Sequence, residues 1–219
     1  MDSFIELLPD LLKAFWETLQ MVGISFIFSI VLGIPLGLFL FITSKGLFWE
    51  NKFLNTLGSF LINVIRSTPY VILLVLLLPL TQILIGTTIG PIAASFSLSV
   101  AAVVFYARLV EASLREVDKG VIEAATAYGA TPLQIIKEVL LPEALPGLIR
   151  GLTVTGISLV GFSAMAGIVG GGGVGDLAIR FGYYRYETNV MVITVVILIV
   201  LVQIVQVFGD IIANKADKK

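Results

Sequence analysis

The sequence predicts an all-α integral membrane protein with five transmembrane helices. Three observations carry that prediction. Hydrophobic residues make up 58% of the 219 positions and charged residues 13%, with a mean hydropathy of +1.03; soluble domains do not have this balance. Several charge-free stretches are as long as a bilayer is thick. No run of alternating ten-residue strands suggests a closed barrel, so helices are left to pair every backbone N–H and C=O inside lipid.

The spans follow from the charge-free stretches. Thr18–Ser44 has 27 residues without charge, Gly151–Gly175 has 25 and Thr188–Gly209 has 22. Each holds one crossing of about 20 residues. Ser67–Ala107 has 41, too many for one crossing, and is divided by the turn-forming "GTTIGP" at Gly86–Pro91. The expected spans lie near 18–43, 56–82, 90–110, 150–170 and 188–210. Residues 1–14 are expected as an external N-terminal segment, 15–212 as one membrane domain and 213–219 as a cytosolic tail. Pro69 should bend the second span, because its missing N–H frees a carbonyl one turn back.

Lys and Arg orient the chain. With the N-terminus outside and the C-terminus cytoplasmic, eleven basic residues fall on the cytosolic side. They are Lys45, Lys52, Arg66, Arg108, Arg115, Lys119, Lys137, Arg150, Lys215, Lys218 and Lys219. Three fall outside: Lys13, Arg180 and Arg185. The acidic first twenty residues lack the basic start and cleavage site of a secretory signal. Arg66, beside Pro69 in "RSTPY", is expected at the cytosolic margin or facing the bundle interior, since a charge at the bilayer centre costs about 2.5–3.5 kcal/mol. Gly23, Gly33 and Gly37 in span one, and Gly156, Gly161 and Gly167 in span four, have the spacing of close helix contacts in lipid.

Composition also excludes chemistry. The chain has no Cys and no His, and its net charge is −1. Thiol nucleophiles, Ser-His-Asp triads, the usual zinc sites and a nucleic-acid footprint are absent. No cofactor or metal is expected. Gly170–Gly175 formally fits G-x-G-x-x-G, but no strand precedes it, and no G-x-x-x-x-G-K-[ST] occurs. The chain therefore holds no nucleotide cradle and is not expected to be an enzyme. The glycine run is expected to form a flexible external loop. The residues after it (Arg180, Tyr183, Tyr184, Arg185, Tyr186) suit an aromatic belt or a docking surface.

One segment is neither span nor simple loop. In "VIEAATAYGATPLQIIKEVLLPEALP", Val121, Ala124, Ala125 and Tyr128 fall at i, i+3, i+4 and i+7 on one helix face. Gly129 ends that helix. Thr131 is a candidate N-cap, Pro132 fits the first helical position and Gln134 completes a capping box. A second helix is expected to run to about Leu141, with Pro142 and Pro146 breaking the chain before it re-enters the membrane. Periodicity alone does not separate a knob that docks into another protein from an amphipathic pair lying on the membrane surface.

The residues Glu123, Ala124, Ala125, Gly129, Val139, Leu141 and Pro142 resemble the "EAA" loop of binding-protein-dependent ABC importer permeases, with Val139 in place of Ile. The resemblance covers nearly the whole chain and implies the type I ABC transmembrane fold, with 121–142 as the cytosolic coupling segment. It implies that Glu123 fixes the loop by hydrogen bonding, that Ala124 and Ala125 form the close-approach face beside Tyr128, and that Gly129, Thr131 and Pro132 make the turn. "LVGFSAMAGIVGGGGVGDLAIRFGYYRY", "NVM" and "LLPEALPGLI" are similar to the methionine-importer branch. There, span four lines a central pathway, with Met165 as a candidate gate and Ser158, Gly161 and Ser163 keeping it narrow. A packing methionine is the alternative. The implied partners are a second copy of the chain, two cytosolic ABC ATPase subunits, an extracytoplasmic substrate-binding (lipo)protein and the plasma-membrane bilayer, with no nucleic acid. The implied cargo is L- or D-methionine. The same machinery for another amino acid or an osmolyte, an ion-coupled secondary transporter, and a membrane protein with no transport role are the alternatives. The charge-free spans speak against ion coupling.

Overall fold

The computed structural model describes residues 2–217, with side chains from Leu7 to Asp217. Lys218 and Lys219, two of the eleven basic residues counted above, lie outside the described residues. Nine α-helices are named here: α1 (Asp2–Ile42), α2 (Lys52–Ser67), α3 (Tyr70–Ile85), α4 (Pro91–Arg115), α5 (Lys119–Ala127), α6 (Pro132–Gln134), α7 (Leu141–Ala166), α8 (Gly173–Leu177) and α9 (Thr188–Ala216). No strand occurs among the described residues. Four helical stretches are long and apolar enough to cross a membrane, and the bent pair α2–α3 makes a fifth if counted as one span.

The bundle is built on α1 and α4, which pack along their length because both present small residues. A Cβ on Gly37 would meet Val110 and the Ala107 carbonyl, and one on Gly33 would meet Tyr106. Where the side chains are serines, the hydroxyls satisfy themselves on helix carbonyls. Ser25 donates to Met21 O at 2.8 Å and Ser99 to Ser95 O at 2.6 Å, so these hydroxyls are not stranded in an apolar interior. α7 lies against α4, joined by a hydrogen bond from Tyr106 Oη to Leu148 O (3.1 Å). α9 closes on α7 where Gly209 faces Thr153 and Gly156 faces Val205. Among the expected contact glycines, Gly23 and Gly161 have nothing within 4 Å that a Cβ would meet.

The structure revises four boundaries. Residues 1–14 are not a separate segment, because α1 runs through them from Asp2. Leu11 and Ala14 are buried against Val174, Leu177 and Val190, which holds these turns in the bundle. The second span is not one bent helix: α2 and α3 meet at 109°. Thr68 before the proline is extended (φ −83°, ψ 125°), as proline demands of its predecessor, and the helix cannot cross it. Pro142 and Pro146 do not break the chain. A π-helical turn at Ile135–Leu140 leads directly into α7, with Pro142 in its first turn and Pro146 inside it. The change of register in such a turn is where a helix absorbs missing N–H donors.

The fourth revision concerns the glycine run, which is a packed corner rather than a flexible loop. Gly167 sits against the backbone of Gly175 and Asp176, and Gly175 against Ala164, so closely that neither has room for a Cβ. Glu17 Oε2 accepts from Gly173 N (2.8 Å) and Thr18 Oγ1 from Val174 N (2.9 Å). Gly90 N donates to Gly170 O at 2.9 Å. These bonds tie α1, the start of α4 and α8 together at one end of the bundle.

Candidate docking site

The segment between α4 and α7 forms a knob at the other end. Asp118 caps α5, its Oδ1 accepting from Gly120 N at 2.7 Å. The helix ends in a paired-bond turn: Gly129 N donates to Thr126 O (2.9 Å) and Ala130 N to Ala125 O (3.1 Å). Gly129 has φ +82°. These two bonds with a left-handed residue between them make a Schellman motif. The chain then restarts at Thr131, whose N donates to Gln134 Oε1 at 2.9 Å and whose Oγ1 donates to the same oxygen at 2.8 Å. Pro132 occupies the first turn of α6, where its lack of an N–H costs nothing.

The knob is held from beneath. Ile136 and Leu140 on the π turn are buried in a cluster with Val110, Leu114 and Val117 of α4 and the residues after it, and Ile122 of α5 packs onto that cluster. The outer face is bare: Tyr128 is 94% exposed and Leu133 68%, with Val121 and Ala124 also exposed. Of the four residues expected on one face, Ala125 is half-buried and Ile122 supplies the anchoring contact. Glu123 is exposed, and among the described residues its carboxylate has no hydrogen-bond or ion-pair partner. Among the described residues, the Schellman turn and the Thr131–Gln134 cap fix the loop. An exposed projection fixed in this way is a candidate for docking into a groove on a partner.

The residues expected along the pathway divide. Ser158, Gly161 and Met165 fall on one stripe of α7 with Val154, and Met165 is 42% exposed. Ser163 is buried, its Oγ donating to Val160 O at 2.7 Å. At roughly 100° per residue, a position two residues from both Gly161 and Met165 points into the protomer. Arg66 and Pro69 stand exposed at the α2–α3 break.

Sequence reasoning missed one cluster. Glu111 is 5% exposed and bridges Arg108 and Arg115. Arg108 also donates to Asn63 Oδ1 (3.0 Å) and Ser59 O (3.4 Å). The network ties α2 to α4. Its signal was present, since Arg108, Glu111 and Arg115 stand at i, i+3 and i+7 on one helix face. No group of side chains suited to hold a metal occurs among the described residues.

A bundle of membrane-length helices, one of them broken, with an exposed knob at one end, defines a multi-pass helical membrane protein. The chain belongs to the family of binding-protein-dependent transport system inner membrane components, whose profile matches residues 29–218. It is 49% identical over 209 residues to the probable D-methionine transport system permease protein MetI of Vibrio cholerae, covering 95% of this chain and 93% of that one. It is 48% identical over 212 residues to the methionine import system permease protein MetP of Bacillus subtilis, covering 97% and 96%. A chain of the MetNI methionine ABC transporter, solved in inward-facing conformations, superposes with a TM-score of 0.95 at 44% identity, over 97% of this chain and 99% of that one. The fold is thus the type I ABC importer permease fold expected from the sequence.

Proposed function

We propose that this chain is the membrane-spanning subunit of an ATP-driven importer that carries methionine, as the L- or D-enantiomer, across the plasma membrane. The observation that carries the reading is the knob. The Glu123–Pro142 residues build a projection whose outer face, led by Tyr128, is left uncovered by the described residues. The methionine cargo is supported by the relatives in V. cholerae and B. subtilis, named as methionine transport permeases.

On this reading the N-terminus is outside and the knob is cytosolic. Two copies of the chain enclose a pathway about a C₂ axis, and each knob seats in one of two ATPase subunits. A binding protein delivers cargo to the opposite end. Nucleotide binding closes the ATPases, draws the knobs together and rocks the bundles about their interface. The α7 stripe with Ser158, Gly161 and Met165 faces the axis, with Met165 as its gate. Hydrolysis belongs to the ATPase, and this chain supplies the wall and the handle.

Reconstitution with the cognate ATPase and binding protein in proteoliposomes tests the reading. ATP-dependent methionine uptake is expected. Tyr128→Ala should weaken assembly with the ATPase at least tenfold, as loss of a central aromatic anchor does, without changing membrane insertion. Unchanged assembly in that variant, or ATP-dependent uptake of an unrelated solute with none of methionine, would overturn it.

A further inference from the structure

Arg66 is placed where an unpaired cation is costly. Ile65, one residue before it, packs on the cluster of Leu40, Ile62, Val104 and Ala107. Tyr70, four residues after it, meets Ser97 Oγ through its hydroxyl at 3.3 Å. The α2–α3 break is therefore bracketed between Ser97 and Ala107 of α4. That helix has 25 residues, a length of about 37 Å, so the break stands near its mid-height. A cation within the charge-free part of the bundle is costly unless it meets water or a partner. Arg66 is exposed on the protomer, and among the described residues nothing lies within hydrogen-bond or ion-pair distance of it.

A second copy of the chain cannot neutralise it at this height. Thr18–Ser44, Ser67–Ala107, Gly151–Gly175 and Thr188–Gly209 contain no carboxylate, and neither does α2. Glu111 is buried and engaged by its two arginines. These spans thus supply no anion for it at this height. Non-helical backbone at membrane depth is tolerated only when buried in protein or lining a watered cavity, and Ser67 and Pro69 at the break are exposed. The break also adjoins the α7 stripe: Tyr70 stacks on Phe162 at 4.7 Å between ring centroids, and Phe162 is the residue next to Gly161.

From this we infer that Arg66 lines the translocation pathway and binds the α-carboxylate of the amino acid as it passes, a role that rests on the permease reading above. The guanidinium supplies a paired donor face that matches a carboxylate, and it gains its partner only while cargo is present. Contact is transient by construction, since a lone arginine offers one end of the substrate a partner and leaves the side chain free.

Because the chain has no cysteine, Ser67→Cys gives one reporter thiol per copy beside Arg66, read in a complex whose other subunits are cysteine-free. Its reaction with membrane-impermeant anionic and cationic thiol reagents is followed with and without methionine or methioninamide. An anionic reagent is expected to react at least ten times faster than a cationic one. Arg66→Gln should erase that preference and Arg66→Lys retain it. Methionine should slow the labelling, and methioninamide, which lacks the carboxylate, should not. A reporter thiol that no water-borne reagent reaches, as for a lipid-facing break, would overturn the inference. So would labelling indifferent to Arg66 and to methionine. Methionine uptake by the unaltered complex is read separately, so failure of the permease reading shows there and failure of the carboxylate contact shows in the labelling.

Discussion

The glycine corner at 167–175 and the knob at 119–140 look alike in the sequence, as small-residue turns between apolar helices, and they use glycine for opposite reasons. At the corner, Gly175 and Gly167 are needed for space: each lies against backbone that cannot move aside. At the knob, Gly129 is needed for conformation: it has φ +82°, and a Cβ there would meet nothing within 4 Å. One region is fastened to three helices and the other is fastened from one side and bare on the other. Packing is therefore concentrated at the corner, and uncovered surface at the knob.

Substitutions sharpen or break that contrast. The largest loss is expected at the corner. Gly175→Ala forces a methyl into the Ala164 backbone and should cost about 3 kcal/mol or more, the upper end for overpacking, read as a lower unfolding temperature and poor recovery of the solubilised protein. Glu17→Ala leaves the Gly173 N–H without its charged acceptor and should cost about 2 kcal/mol in the same measurement. Gly129→Val strains a left-handed position by about 1–2 kcal/mol, but its effect should be local. Membrane insertion and bundle stability should be kept while ATP-driven uptake is lost, whereas Gly129→Asn, which tolerates that conformation, should retain uptake. Thr131→Ala removes a cap worth about 1 kcal/mol and should lower uptake modestly with no change in the unfolding temperature. If Gly129→Val lowered global stability as far as Gly175→Ala, the contrast would fail.

Much of this arrangement was legible in the chain. The span count, the helix end at Gly129 and the Thr131–Gln134 cap follow from periodicity and turn chemistry, which are local. The corner was not legible, because what makes Gly175 tight is Ala164, and what holds Gly173 is Glu17, 156 positions away. A run of glycines states only that side chains are missing, not what fills the place. The sharpness of the α2–α3 break was half visible: Pro69 required a bend, but its angle depends on how each half packs on α4. The continuity through Pro142 depends on a π turn that no single residue announces. Ser158 and Ser163 looked equivalent by type, and the helical angle between them puts Ser158 on the stripe with Met165 and Ser163 inside.

The central claim is that the bare face of the knob is the handle gripped by a separate ATPase. Ala125 is half-buried, so the fully exposed Tyr128 is the better reporter. Tyr128→Cys, again the chain's one thiol, should form a disulfide with a cysteine placed in the docking cleft of the ATPase subunit, in an adduct whose yield follows the nucleotide state. If no adduct forms in a complex that still takes up methionine, or if the thiol at position 128 is labelled only from the extracytoplasmic side, the account is contradicted.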